Sequence, residues 1–174
     1  MQSDKKVKDL MIGVFDYPHI PYWFSIDQAM KIIKASFIKE KKYTEPLAIL
    51  VFDEKYNLLG TLTMKDILRG LEPRFMRPSD KVQGYIQEEK ELSLIWDTLF
   101  ARESKELAQK TVNEIMIPTK YFVEPDDSIA KAAYLMIHDD LPLLPVLEAK
   151  KKFVGLVRMI EIFDELTNII TTKE

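Results

Sequence analysis

The sequence predicts an α/β (α+β) protein made of two copies of one unit, and three observations support this. The segment VKDLMI at 7–12 returns as VNEIMI at 112–117. Residues 46–71 align without a gap on residues 141–166, with the hydrophobic pattern and a glycine kept. Within each copy, helix-period and strand-like segments alternate, which is the pattern of a mixed α/β fold.

Each copy opens with a helix that starts at a serine. Ser25 begins a helical pattern over 25–37, and Ser128 begins its equivalent over 128–138. A serine hydroxyl accepts a hydrogen bond from the unpaired amides of a first helical turn. The copies differ mainly in a charged stretch at 37–45, which we expect on the surface.

Two strands and a second helix follow in each copy. Residues 47–52 and 143–147 are apolar at nearly every position, as in central strands covered on both faces. A polar turn leads to a strand at 58–62, and a helix then starts at Thr63 or Met64. The same order follows 143–147 in the second copy.

The repeats divide the chain into a first motif at 1–71, a connector at 72–111 and a second motif at 112–174. The connector contains a helical pattern over 88–109. Its apolar stripe consists of Leu92, Ile95, Trp96, Leu99 and Phe100. Packing on its own domain and contact with a partner both remain open for this stripe.

Composition excludes several classes of function. The net charge is -3, from 25 Lys and Arg against 28 Asp and Glu, with the signs mixed along the chain, so we expect no nucleic-acid or anionic membrane surface. Cysteine is absent, which excludes disulfides and thiolate chemistry, and no apolar run approaches the ~20 residues of a membrane span. We therefore expect a cytoplasmic protein. The motifs of nucleophile elbows, P-loops and zinc proteases are missing, so we do not expect an enzyme.

The repeated motifs resemble a known family. Two helix-strand-strand-helix units, each with a V-x-x-[IL]-M entry and a closing G-h-h-x-M-x-[DE]-[IL] segment, are similar to the cystathionine-β-synthase (CBS) domain pair, or Bateman module. GTLTMKD at 60–66 is close to that family's nucleotide-binding signature. PVLE at 145–148 resembles the family's usual strand end. In the first copy, Leu50 stands where that strand end has its proline. The resemblance implies two β-α-β-β-α repeats packed through their sheets about a pseudo-twofold axis.

Thr63 and Asp66 have two compatible interpretations. As a helix start, Thr63 caps the first turn and Asp66 lies where the helix dipole favours a negative charge. In the family, the equivalent pair binds a ligand, because a first-turn carboxylate accepts hydrogen bonds from a ribose diol and the adjacent amides receive a phosphate. This second role requires that the Asp66 carboxylate be accessible.

The second copy replaces this pair with Arg158 and Glu161, so we expect a weaker or absent ribose site there. Arg158 is a candidate to hold a phosphate at the first site, and a solvated or ion-paired arginine is the alternative. The resemblance places the base beside Val14 and Ile49, although core packing explains both. Lys65, in the same turn as Asp66, could add charge toward a phosphate or simply be solvated.

The resulting prediction is a regulatory sensor that binds an adenine nucleotide (AMP, ADP or ATP), with NAD and S-adenosylmethionine as further candidates. The resemblance also implies a homodimer, and the sensor would act on an unidentified target protein. The alternative is a structural dimerisation or protein-interaction module with an empty cleft.

Overall fold

The computed structural model describes residues 5–38, 48–72, 93 and 101–171. The helices are α1 (Val7–Leu10), α2 (Ile26–Ile33), α3 (Met64–Gly70), α4 (Ala101–Leu107), α5 (Ile129–His138) and α6 (Met159–Thr171). The strands are β1 (His19–Pro21), β2 (Ala48–Phe52), β3 (Leu58–Thr63), β4 (Ile117–Pro118), β5 (Leu143–Glu148) and β6 (Lys152–Arg158). A π-helical turn, Lys34–Ile38, continues α2.

The two copies build equivalent sheets. In the first sheet the strand order is β1-β2-β3-β4, with β1 parallel to β2 and the other pairs antiparallel. In the second sheet β5 and β6 form an antiparallel hairpin. Val123 bridges Val146 in parallel and Ile12 bridges Leu156 in antiparallel, in the places that β1 and β4 take in the first sheet. The predicted α/β architecture of two repeats is therefore confirmed.

The two entry segments are exchanged between the copies. The amide of Val7 donates to the carbonyl of Asp127 at 3.0 Å, and Ile12 pairs with Leu156, so the first entry completes the second copy. The amide of Val112 donates to the carbonyl of Phe24 at 2.7 Å, and β4 pairs with β3, so the second entry completes the first copy. Each compact unit therefore contains residues from both copies of the repeat.

Two glycines permit this exchange. A Cβ placed on Gly60 would lie 2.4 Å from the carbonyl oxygen of Ile117, and a Cβ placed on Gly155 would lie 2.6 Å from that of Ile12. These distances are far shorter than van der Waals contact. Only glycine lets the entry segments approach so closely.

Three apolar clusters hold the fold together. One is the core of the first copy and includes Val112, and a second is the core of the second copy and includes Val7, as the exchange requires. The third lies between the sheets and joins the copies face to face; its buried members are Tyr17, Ala48, Leu50, Phe52, Leu143 and Leu156. Burial of this shared cluster fixes the relative placement of the copies.

The predicted elements correspond closely to the observed ones. The Ser25 hydroxyl accepts from the amide of Gln28 and the Ser128 hydroxyl from that of Lys131, as expected of caps. The strands and the second helix after Thr63 are confirmed. Most of the predicted surface stretch at 37–45 and most of the connector helix at 88–109 lie outside the described residues, as does the apolar stripe of that helix. The described end of the connector contains α4.

Candidate functional site

A cavity of about 240 Å³ lies between the two copies, and we call it the first cleft. It is lined by Thr61, Ile117, Pro118, Thr119, Lys120, Tyr121, Asp139, Leu141, Leu143 and Pro145. Its walls come from β3 of the first copy, from β4 and the chain that follows it, and from the start of β5 in the second copy. A molecule in this cleft would contact both copies.

The backbone at β3 and β4 positions one wall of the first cleft. Thr61 pairs with Ile117, and the amide of Thr119 donates to the carbonyl of Leu59 at 3.1 Å. Leu143 and Pro145 lie two residues apart on β5 and therefore face the same side. The cleft thus has an apolar wall opposite a wall rich in hydroxyl groups.

Three polar features stand out in the first cleft. The Thr119 hydroxyl oxygen is buried and has no hydrogen-bond partner within the described part of the chain. Lys120 brings an exposed ammonium group. Tyr121 hydrogen-bonds the carboxylate of Asp139, and this bond raises the pKa of Tyr121. Because a buried hydroxyl without a partner is costly, Thr119 indicates a place where a ligand or water is held.

Thr63 and Asp66 form a reciprocal cap at the start of α3. The Asp66 amide donates to the Thr63 hydroxyl at 3.2 Å, and Asp66 Oδ2 accepts from the Thr63 amide at 2.9 Å and from its hydroxyl at 2.6 Å. Asp66 Oδ1 makes a longer contact, 3.5 Å, with Nη1 of Arg69. Asp66 is only 6% exposed. The capping role is formed, whereas the accessible carboxylate required for ribose binding is not present in this conformation.

The remaining predicted residues on the first copy lie apart from the cavity lining. Lys65 is exposed in the first turn of α3. Ile49 is 0% exposed and packs in the core of the first copy, which is the core role kept open for it. Thr61, two residues before Thr63 on the same strand, is the residue of this region that reaches the cavity.

The equivalent position on the second copy, which we call the second cleft, contains an ion pair between Arg158 and Glu161. Nε of Arg158 donates to the Glu161 carboxylate at 2.9 and 3.1 Å, and Nη2 donates to it as well. The bond to Glu161 raises the pKa of Arg158. Tyr17 lies beside Arg158 and donates to the carbonyl of Ala48 at 2.6 Å, and burial raises its pKa to about 12. Val14 packs here, partly buried, against the cluster between the sheets.

The structure therefore separates the predicted site residues into two groups. Thr63, Asp66 and Lys65 share the start of α3 on the first copy, whereas Val14 and Arg158 belong to the second cleft. The exchange of entries explains the separation, because the chain after the second entry, not after the first, lies beside β3. The sequence interpretation missed this chain, 118–121, together with Asp139. The available signal was the repeat itself, since 118–121 follows the second entry as 13–16 follows the first.

Comparison with known proteins relates part of the chain to a known family. The family model described as CBS domain matches residues 112–168. The match lies within the second repeat, and the first repeat has the same order of strands and helices. No curated protein sequence matches the chain.

Solved structures of CBS-domain proteins share the fold of the whole chain. A CBS domain-containing protein of unknown function from Bacillus anthracis str. Ames Ancestor has a TM-score of 0.66 at 21% identity, over 94% of this chain and 94% of that one. CBSX2, a CBS-pair protein from Arabidopsis thaliana, has a TM-score of 0.62 at 21% identity in its complex with AMP, over 95% and 98%.

A third structure, the cytosolic domain of the Mg²⁺ channel MgtE in complex with ATP, has a TM-score of 0.60 at 20% identity. The match covers 94% of this chain and 49% of that one, so this chain spans about half of its length. At these identities the similarity establishes the fold of a CBS-domain pair. In the part of this chain that the structure describes, no helix is long and apolar enough to cross a membrane.

Proposed function

We propose that the chain is a regulatory module that binds an adenosine-containing ligand in the first cleft. The observation that supports this most strongly is a cavity between the CBS motifs that contains the unpartnered hydroxyl of Thr119. CBSX2 in complex with AMP and the MgtE domain in complex with ATP have the same fold, which favours an adenine nucleotide as the ligand. AMP, ADP and ATP are the first candidates, followed by NAD and S-adenosylmethionine.

The cleft offers contacts for each part of such a ligand. Pro118, Leu143 and Pro145 form flat apolar walls suited to a base. The Thr61 and Thr119 hydroxyls are oriented by the β3 and β4 backbone and suit ribose or phosphate oxygens. An ammonium group such as that of Lys120 pairs with a phosphate as a point charge.

The Thr63 and Asp66 assignment is retained as part of the proposal in a modified form. Asp66 Oδ2 is committed to Thr63, so a ribose diol would have to replace Arg69 at Oδ1, where the existing contact is long. Arg69 is exposed and its ion pair with Asp66 is long, so its displacement costs little. Lys65 would then serve as an additional cation at the same turn.

One ligand per chain follows from the contrast with the second cleft. Arg158 would have to leave Glu161 before it could reach a phosphate, so its predicted phosphate role is less favoured than the ion pair that it already makes. Val14 and Tyr17 occupy the place equivalent to that of Thr119 and Phe122. The second cleft therefore serves to join the copies rather than to bind a ligand.

Signalling would follow from the position of the cleft between two copies. A ligand that contacts both motifs favours the relative placement in which those contacts are best, and so biases the shape of the module. We propose that this change is transmitted, without catalysis, to a target protein in the cytoplasm.

A homodimer is supported by exposed apolar side chains on the helices of the second copy. Among the described residues, Ile137 on α5 and Phe163 on α6 are 69% and 68% exposed, and Tyr134 and Ile170 are also exposed. An apolar face of this kind marks a protein contact. It also favours the second candidate function, a structural interaction module with an empty cleft.

Thermal unfolding with AMP, ADP, ATP, NAD and S-adenosylmethionine distinguishes the two functions. A ligand at 100 times its dissociation constant should add ~2.7 kcal/mol to the unfolding free energy, a rise in Tm on the order of 5 °C. Thr119→Val should weaken binding about tenfold without lowering stability, because this hydroxyl has no hydrogen-bond partner in the described part of the chain. No shift with any ligand would leave the interaction module as the function.

Asp66→Ala tests the residue assignment separately. The variant loses the cap, so its own unfolding free energy is measured first, and Thr63→Ala serves as the matched control that loses the same cap. If ligand binding survives in Asp66→Ala as well as in Thr63→Ala, the ribose is held elsewhere in the cleft.

A further inference from the structure

The first cleft is electrically balanced, which is unusual for a site that is to hold several phosphates. Of its lining residues, only Lys120 and Asp139 carry a charge at neutral pH, and these have opposite signs. Polyphosphate sites instead surround the phosphates with several cations or with a bound metal ion.

The Asp139 carboxylate is held in place at the wall of the cleft. Asp139 is the C-terminal cap of α5, and its amide donates to the carbonyl of Leu135 at 3.1 Å. The Tyr121 hydroxyl hydrogen-bonds its carboxylate from the opposite wall. The negative end of the α5 dipole lies at the same point and adds to the negative potential.

The volume of the cleft, like its charge, favours a ligand with few phosphates. Its volume of about 240 Å³ lies below the roughly 300–1,000 Å³ of pockets for drug-sized ligands. A nucleoside-sized ligand would fill it, and further phosphates would extend past its rim. Apart from Lys120, the lining residues that the structure describes offer no cation to receive them.

Building on the proposed adenosine site, we propose that the first cleft selects adenosine ligands with at most one phosphate and that Asp139 sets this selectivity. One phosphate pairs with Lys120. Each additional phosphate adds repulsion from Asp139, and the described lining of the cleft has no second cation to offset it. The preferred order is adenosine and AMP ahead of ADP, with ATP the weakest.

Isothermal titration calorimetry of adenosine, AMP, ADP and ATP against the intact chain tests this order. We expect AMP to bind at least about tenfold more tightly than ATP at low salt. Asp139→Asn, which keeps an acceptor for Tyr121, should reduce this ratio about fivefold by strengthening ATP binding. The ratio should also shrink as added salt screens the repulsion, since the Debye length falls from about 30 Å at 0.01 M to about 10 Å at 0.1 M.

Asp140→Asn is the matched control. Asp140 is the next residue, carries the same charge and does not line the cleft, and its φ of 51° is tolerated by asparagine. Equal effects of the two substitutions would overturn the role of Asp139. ATP binding as tightly as AMP to the unchanged chain would overturn the selectivity itself while leaving an adenosine site in place. Binding of none of the four ligands would instead contradict the proposed function, and the selectivity with it.

Discussion

At the first cleft, β3 ends in Thr61, Leu62 and Thr63, whereas at the second cleft β6 ends in Leu156, Val157 and Arg158. The backbone frames are equivalent, since each strand pairs with the entry segment of the other copy. The side chains at these equivalent positions nevertheless differ. The first cleft has the Thr119 hydroxyl, which lacks a partner among the described residues, whereas the second has the ion pair of Arg158 and Glu161. The comparison teaches that one duplicated scaffold can keep a site in one copy and use the equivalent site of the other for internal contacts.

The largest effect should come from the glycines that the two frames share. Gly60→Ala and Gly155→Ala each place a Cβ within 2.6 Å of a carbonyl oxygen of an entry segment. We expect each to lower the unfolding free energy by about 3 kcal/mol, because the backbone must move apart. Urea unfolding measures this, with Gly13→Ala as control, since a Cβ there meets its nearest atom at 3.6 Å. Equal stability of all three variants would contradict the close approach.

Tyr17, in the second cleft, should make the unfolding free energy depend on pH in the alkaline range. Its pKa in the folded chain is about 12, above the ordinary value of about 10, so its contribution is complete below pH 10 and is lost as pH rises toward 12. The unfolding free energy should fall by about 2 kcal/mol between pH 10 and pH 12 from this group. Tyr17→Phe should cost about 1–2 kcal/mol near pH 8, where the Ala48 carbonyl loses its donor, and should show a smaller loss between pH 10 and 12. Parallel pH curves for the two proteins would contradict the burial of this hydroxyl.

The ion pair of Arg158 and Glu161 in the second cleft can be tested by replacing it with the equivalent residues of the first copy, a threonine and an aspartate. Arg158→Ala should cost about 1–2 kcal/mol, because the partly buried Glu161 loses its partner. The cost in an Arg158→Ala, Glu161→Ala double variant should be less than the sum of the single costs. Arg158→Thr with Glu161→Asp should raise the number of ligands bound per chain from one toward two, as measured by calorimetry. An unchanged number would show that the ion pair is not what closes this cleft.

The smallest effect should come from the first helices. Ser25→Ala and Ser128→Ala each remove a cap and should each cost about 1 kcal/mol. The Ser25 variant retains the bond from its own amide to Gln28, whereas Ser128 has a side-chain cap without this reciprocal bond. Ser25→Ala should therefore cost less than Ser128→Ala in thermal unfolding. The reverse order would show that tertiary contacts outweigh the caps.

The sequence predicted the elements well because each depends on local patterns. The serine caps, the apolar runs of β2 and β5 and the helix after Thr63 are all governed by neighbours in sequence. The exchange of entry segments could not be read from the sequence, because the two entry segments have the same apolar pattern and fit either copy. The glycines at 60 and 155 indicate that another backbone segment packs closely against each of them, but they do not indicate which entry segment it is.

The same exchange limited the prediction of the candidate site. Placing the base beside Val14 assumed that the first entry borders the first copy, whereas Thr119 takes that place. The accessibility of Asp66 depends on how Thr63 and Arg69 orient around it, and spacing alone does not determine this. The charge balance of the cleft combines Lys120 with Asp139, which only the packing of one copy on the other brings together.

The crossed entry segments also determine how the molecule responds to being cut. A protease that severs the chain between residues 72 and 101 would produce two pieces, each holding an edge that the other needs. Such pieces would remain joined under native conditions and separate only in denaturant, and they should reassemble when mixed. Because each half contributes an entry segment to the sheet of the other, the two halves should stay associated after the chain between them is cut.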